Sequence, residues 1–207
     1  MIILAIDPGT RESGLVVLDS AGCQPRIADH SGASWASSIP VLGDLYNNED
    51  LLTELRGPNV YDAYVIEMKH FHGKDSKAGA ETFESCVWIG RFMEAIRKEE
   101  ADEARIHRII RSAVRTRICG TARSGDKEVR QALIDRFGGD SVALKGKKCP
   151  IKPWKWAAGV GLHRPDCLKC DGSGWLRKPG PLAGITSHMW AALAVAVTWA
   201  ETQKEES

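Results

Sequence analysis

Short apolar runs alternate along the chain with longer segments of amphipathic character, and this pattern predicts its strands and helices. A short turn after the first run predicts that the first two strands form a β-hairpin. The runs predict strands over residues 2–7, 14–19, 63–67 and 106–110, with a weaker strand near residues 24–28.

Apolar residues at helical spacing predict helices over residues 40–56, 80–101, 126–137 and 187–202. Ser187 is the predicted N-cap of the last helix, because its hydroxyl can accept from a backbone N–H of the first turn. The helix over 80–101 is expected to turn one apolar stripe inward, formed by Phe83, Val87, Ile89, Gly90, Phe92, Met93 and Ile96.

Strands that alternate with helices after an initial hairpin predict an α/β fold, with a mixed sheet flanked by helices. Residues 145–184 lack such periodicity and predict an irregular insert before the last helix. We therefore expect one domain over residues 1–144 plus 185–207, interrupted by the insert. With 207 residues, 43% of them apolar, the chain is long enough to bury such a core.

The chain opens on an apolar strand, without the charged region and cleavage site of a signal peptide. The apolar stretch from Met189 to Trp199 is too short to span a bilayer. We therefore expect a cytoplasmic protein with no membrane partner. In such a reducing compartment the six cysteines favour thiols or metal ligands over disulfides.

Two carboxylates stand at predicted strand ends, Asp7 after the first strand and Glu67 after the fourth. If these strands are neighbours, the two side chains lie at one sheet edge, and a divalent cation would relieve their repulsion. Mg²⁺ prefers such hard oxygen ligands and suits phosphate chemistry. Alternatively, Asp7 caps the turn before Gly9 and Glu67 is a solvated strand end.

Four segments resemble the motifs of RuvC-type Holliday junction resolvases, a family within the RNase H-like superfamily. The resemblance is closest to the phage-borne members of that family. The four segments occur in the same order as in that family, and the resemblance covers most of the chain outside the insert. The segments are Ala5-Ile6-Asp7-Pro8-Gly9-Thr10-Arg11-Glu12-Ser13-Gly14, Val65-Ile66-Glu67, residues 120–129 and residues 187–196.

The resemblance implies an endonuclease that cleaves Holliday junctions or other branched DNA. It implies two Mg²⁺ (or Mn²⁺) ions per active site, a homodimer, and the host cytoplasm if the chain is phage-encoded. Asp7 and Glu67 fall on metal-binding acids, and His188 falls on a position that holds Asp or His. Positions 188 and 191 are three apart and share a helix face.

Ala191 falls where the family normally has Asp, and a methyl group cannot bind Mg²⁺. Three explanations remain open at this point. The substitution is a deliberate inactivating one, another carboxylate such as Asp126 compensates for it, or the protein binds junctions without cutting them.

The near-neutral net charge of +1 conceals a basic insert. Residues 145–178 contain nine Lys or Arg against two Asp, a net +7, together with Trp154, Trp156 and Trp175. Cations neutralise phosphates and aromatic rings can stack on unpaired bases, so the insert is a candidate DNA contact. The alternative is a solvated loop whose tryptophans pack on the core.

The insert also carries Cys149, His163, Cys167 and Cys170. The stretch Cys167-Leu168-Lys169-Cys170-Asp171-Gly172-Ser173-Gly174 resembles the zinc-binding half-site of DnaJ-type chaperones. Tetrahedral zinc needs four ligands, and Cys149 and His163 are the nearest candidates for the other two. A redox-active CxxC is the alternative, although no predicted strand-to-helix junction surrounds it.

Further candidate DNA contacts flank the carboxylates and the third motif. Phe71, near Lys69, lies in the loop that follows Glu67. The resemblance implies that an aromatic residue of this loop wedges into the junction, as in RuvC-type enzymes. The alternative is an ordinary loop aromatic that folds back onto the protein surface. The remaining candidates for phosphate contacts are Arg123, Lys127, Arg130, Lys145, Lys147 and Lys148.

Two other functions compete with junction cleavage. Ala191 motivates a non-catalytic junction-binding protein. The turn Asp7-Pro8-Gly9-Thr10 also resembles the first phosphate loop of sugar kinases and actin-like ATPases, but we find neither the second glycine loop nor the second domain of that family.

Overall fold

The predicted strands and helices occur along the chain in the predicted order, together with strand and helix segments that the apolar pattern did not predict, among them a helix over Arg111–Cys119. A computed structural model describes residues 1–20, 24–26, 46–56, 61–69, 79–99, 103–144, 147–148, 154–155, 161–162, 175–177 and 180–206. The strands of the main sheet are β1 (Ile2–Asp7), β2 (Glu12–Asp19), β3 (Gln24–Arg26), β4 (Tyr46–Asn47), β5 (Ala63–Met68) and β6 (Ile106–Ile110). The helices are α1 (Asn48–Leu55), α2 (Ala80–Glu99), α3 (Arg111–Cys119), α4 (Asp126–Arg136), α5 (Asp140–Ala143) and α6 (Met189–Glu206).

The main sheet is mixed, with strand order β3-β2-β1-β5-β6 and β4 paired with β2. The predicted hairpin is present, because β1 pairs antiparallel with β2. On its other side β1 runs parallel to β5, and β5 runs parallel to β6. The central strands are buried along nearly their whole length, as expected for strands covered on both faces.

Side chains that alternate along the strands enter two apolar layers. Leu4, Ile6 and Ile66 belong to a cluster that includes residues of α1 and α2, with Phe92 fully buried. Helix α6 contacts β1, β2 and β5, and Leu193 is fully buried there. The predicted mixed sheet flanked by helices is therefore confirmed.

The chain divides into two compact units. One comprises Met1–Leu133 with Gly184–Ser207, and the other comprises Ile134–Ala183. Short strands in the second unit are β7 (Lys147–Lys148), β8 (Trp154–Lys155), β9 (Gly161–Leu162) and β10 (Trp175–Arg177). Strand β7 pairs with β10 and β8 with β9, both antiparallel. The domain boundaries predicted at residues 144 and 185 remain a prediction.

The inward stripe predicted for α2 is wrong at Phe83, Val87 and Gly90. Phe83 is 63% exposed and Val87 60% exposed, and Gly90 is exposed as well. A helix rotates by 100° per residue, so these positions lie opposite Ile89 and Phe92, which are buried against the core. Helix α2 carries apolar residues on both of its faces, and only the face with Ile89 and Phe92 packs against the sheet.

The predicted N-cap of the last helix is also wrong. Ser187 has φ +41° and lies in the turn before the helix, which begins at Met189. His188 occupies the N-cap position instead, since its carbonyl accepts from the N–H of Ala192 at 3.0 Å. Among the described residues, no helix is long and apolar enough to cross a membrane.

Candidate active site

Asp7 and Glu67 lie side by side at one edge of the sheet. Strands β1 and β5 are parallel neighbours whose register pairs Ile6 with Ile66, so the two acids are the next residues along both strands. Each acid is only 1% exposed. Oδ1 of Asp7 and Oε2 of Glu67 are buried without a hydrogen-bond partner among the described residues. The structure thus brings together the two carboxylates that the sequence singled out.

The two carboxyl groups are electrostatically unequal. Burial, followed by the adjacent Asp7 carboxylate, raises the pKa of Glu67 to about 8. Burial also acts to raise the pKa of Asp7, but the hydrogen bond with His188, the adjacent Glu67 carboxyl group and the nearby cations outweigh it and hold that pKa below its ordinary value. At neutral pH and without a metal, the pair therefore retains one proton, with the negative charge on Asp7.

His188 is held against Asp7 by a close approach of α6 to the hairpin. Its Nδ1–H donates to Oδ2 of Asp7 at 2.9 Å, and this hydrogen bond raises the pKa of the imidazole. Gly14, the partner of Asp7 in the β1–β2 register, permits the approach, since a Cβ there would overlap the backbone of His188. Ala191 lies in the first turn of α6 and is half-buried.

Two cations flank the carboxylates. Nζ of Lys69 lies 3.9 Å from Oδ1 of Asp7, and Nε of Arg111 lies 3.6 Å from Oε1 of Glu67. Arg111 is the first residue after β6, which pairs with β5 up to Met68 and so brings the arginine to the same sheet edge. Sequence reasoning gave Arg111 no role beside Glu67, because α3 was not predicted.

Asp126, the acid considered as a substitute at the Ala191 position, lies behind Arg111. Its Oδ1 accepts from Arg115 at 3.0 Å and lies 3.6 Å from the guanidinium of Arg111. Its side chain is 77% exposed. The described arrangement therefore pairs Asp126 with two arginines and places one of them between it and Glu67.

A buried polar network fixes the turn that follows Asp7. Ser13 donates to Oδ1 of Asn48 at 2.6 Å, and the Asn48 amide donates to the carbonyl of Gly9 at 3.2 Å. The N–H of Gly9 in turn donates to the Ser13 hydroxyl at 3.3 Å. Sequence reasoning missed both polar residues as site components. Ser13 lies within the first motif, but Asn48 is distant in sequence and carries no local signal.

The donor set suits a hard divalent cation. Unpaired oxygens on two buried carboxylates lose hydration without compensation, and coordination of Mg²⁺ or Mn²⁺ would satisfy them. In the part of the chain that the structure describes, however, no group of three or more His, Cys, Asp or Glu side chains could hold a metal ion. The fit therefore rests on Asp7 and Glu67.

Two solved structures of Thermus thermophilus RuvC share this architecture. Thermus thermophilus RuvC in complex with a Holliday junction substrate matches with a TM-score of 0.56 and 14% identity, over 100% of this chain and 96% of that one. A second Thermus thermophilus RuvC structure matches with a TM-score of 0.52 and 15% identity, over 100% and 97%. The chain has the RuvC fold. No protein-family model and no curated protein sequence matches it.

An open cleft lies beside the acids of this RuvC fold. It has a volume of about 590 Å³ and includes His188 and Lys69 in its walls. The turn after β1 and the first residues of α2 complete it. The other lining residues are Gly9, Thr10, Arg11, Glu12, Glu81, Thr82 and Ser85.

The predicted DNA contacts lie in several parts of the chain. Arg123 and Lys127 are exposed around the start of α4, whereas the guanidinium of Arg130 lies 4.9 Å from the ring centroid of Trp190. Lys147 and Lys148 form β7. The predicted DNA contacts Phe71 and Lys145 lie outside the described residues. The four candidate zinc ligands, Cys149, His163, Cys167 and Cys170, lie outside them as well.

Proposed function

We propose that this chain is a metal-dependent endonuclease that cleaves branched DNA, with the four-way junction as its substrate. The observation that carries the proposal is the buried pair of Asp7 and Glu67 at the ends of two parallel neighbouring strands, each with one oxygen that has no hydrogen-bond partner among the described residues. The fold likeness to a RuvC in complex with a Holliday junction substrate supports the choice of DNA.

Asp7 and Glu67 would hold Mg²⁺ or Mn²⁺ through carboxylate oxygens. When bound, such a cation supplies an activated water and stabilises charge on the phosphodiester. His188 orients the Asp7 carboxylate through its Nδ1–H and holds a proton there. Lys69, at the wall of the open cleft, is positioned to neutralise a backbone phosphate near the acids.

Exposed cations extend the proposed DNA surface beyond the site. Arg123 and Lys127 lie around the N-terminal end of α4, where side-chain charge and free backbone N–H groups both favour phosphate. DNA contact by the basic insert remains a proposal that rests on the charge of residues 145–178. The zinc site remains a proposal that rests on the cysteines of the same segment.

We also propose a homodimer, because a four-way junction presents two equivalent strands for cutting. The exposed face of α2 is our candidate contact, with Phe83 and Val87 one turn apart. No described atom would lie within 4 Å of a Cβ on Gly90, which allows a second helix to approach closely.

A Val87→Glu substitution is expected to lower the dimer fraction at least about 10-fold, because a charge would be buried in an apolar contact. The mass in solution, measured by sedimentation, reports the change. Lys98→Glu, on the exposed C-terminal turn of the same helix, is the control and should remain dimeric. A monomeric unsubstituted chain, or a Val87→Glu dimer of unchanged affinity, would exclude this interface.

Junction selectivity tests the function directly. The chain should bind a synthetic four-way junction at least about 10-fold more tightly than duplex of the same sequence, equal to about 1.4 kcal/mol. Added Mg²⁺ or Mn²⁺ should produce cuts in the junction and none in the duplex. Equal affinity for both DNAs would refute the resolvase proposal.

Ala191 favours a second candidate, a protein that binds junctions without cutting them. Junction binding with no product at any Mg²⁺ or Mn²⁺ concentration would select this candidate. The same assay therefore separates the two functions.

A further inference from the structure

Each carboxylate of the active-site pair has one oxygen engaged and one open. Oδ2 of Asp7 accepts from His188 at 2.9 Å, and Oε1 of Glu67 faces Arg111 at 3.6 Å. The other two oxygens, Oδ1 of Asp7 and Oε2 of Glu67, have no hydrogen-bond partner among the described residues. Lys69 lies 3.9 Å from Oδ1 of Asp7, beyond hydrogen-bond distance. The pair thus offers two monodentate donors.

Charge around the pair is already balanced by side chains. With both acids ionised, as metal ligands are, Lys69 and Arg111 balance their two negative charges, so these four groups sum to zero before any cation is added. Ala191 adds no charge, and Asp126 is paired with Arg115 and Arg111. Two divalent ions would bring four further positive charges to this buried position, and sites for hard cations normally match such charge with carboxylates.

We propose that the site binds a single divalent cation, through Oδ1 of Asp7 and Oε2 of Glu67. Arg111 supplies at Glu67 the positive charge that a second cation would supply in a two-ion nuclease. This inference rests on the proposed function and replaces the two ions that the family resemblance implies. Arg111 acts through Glu67 and is a positioning residue.

Counting bound Mn²⁺ on the DNA-free full chain tests the inference, with titration calorimetry and electron paramagnetic resonance as readouts. The unsubstituted chain should bind one Mn²⁺. Arg111→Gln should bind one Mn²⁺ about 10-fold more tightly, because a like charge is removed beside the ligand. The double variant Arg111→Gln with Ala191→Asp should bind two.

Two controls separate charge from structure. Arg108→Gln changes an exposed arginine on β6 and should leave both stoichiometry and affinity unchanged. Arg111→Lys combined with Ala191→Asp retains the charge and should still bind one Mn²⁺. Thermal melting of each variant shows that it is folded before its metal content is counted.

The outcomes distinguish this inference from the function on which it rests. Two Mn²⁺ ions of similar affinity on the unsubstituted chain would overturn the single-cation inference and leave the nuclease proposal standing. One ion on the Arg111→Gln, Ala191→Asp variant, or two on its Arg111→Lys counterpart, would overturn the role of Arg111. Absence of Mn²⁺ binding by the unsubstituted chain would instead contradict the metal-dependent function itself.

Discussion

Asp7→Asn is expected to lower the rate of four-way-junction cleavage by about 10³-fold, equal to about 4 kcal/mol of transition-state stabilisation. Asparagine keeps the size of the side chain and can still accept from His188, but it removes the negative charge that attracts the cation. Asp7 is the member of the pair that stays ionised at neutral pH, since its pKa is lowered whereas that of Glu67 is raised. Its loss therefore removes the principal charge of the site.

The measurement is the single-turnover rate at saturating enzyme, made in parallel with junction binding in EDTA. Asp50→Asn changes an exposed aspartate in the first turn of α1 and should cleave at the unsubstituted rate. Junction affinity of Asp7→Asn should remain within about twofold, because phosphate contacts rather than the buried acids carry binding. A rate within about 10-fold of the unsubstituted chain would show that Asp7 is not a metal ligand.

Ala191→Asp is expected to raise the cleavage rate about 10- to 100-fold at limiting Mg²⁺, the range by which metal-site partners commonly alter affinity or activity. Ala191 lies three residues after His188, the residue that donates to Asp7, and shares a helix face with it. An added carboxylate there would bring a third acid toward the cation.

Ala191→Asn is the matched control, since it has the same shape without the charge. The two variants should differ in their Mg²⁺ dependence, with the Asp variant reaching half its maximal rate at lower Mg²⁺. If both variants cleave at the same rate, the lack of a third carboxylate does not limit the cleavage rate of this chain. Asp7→Asn should abolish the gain when combined with Ala191→Asp.

Local patterns in the sequence determined the strands and the identity of the acids. Continuous apolar runs that stop at Asp7 and Glu67 can only be accommodated as buried strands whose ends carry the charge. Because this signal depends on neighbours within a few residues, β1, β2, β5 and β6 were predicted close to their observed bounds.

The remaining elements have weaker local signals. Helix α3 was missed because only Val114 and Ile118 of its nine residues are buried, and its arginines lack an amphipathic pattern. On α2, the sequence could not distinguish the stripe of Ile89 and Phe92 from that of Val87, because both are apolar. Burial is decided by which face meets the sheet.

The sequence by itself therefore determined that two acids end buried strands and that Ala191 interrupts a motif. Only the tertiary structure decided that Asp7 and Glu67 are adjacent, since this follows from the parallel pairing of strands that lie about 60 residues apart. It likewise placed Arg111 beside Glu67, His188 on Asp7 and Asn48 under the Gly9 turn. These contacts depend on strand order and register, which arise from the packing of the whole core and leave no mark in any local stretch of residues.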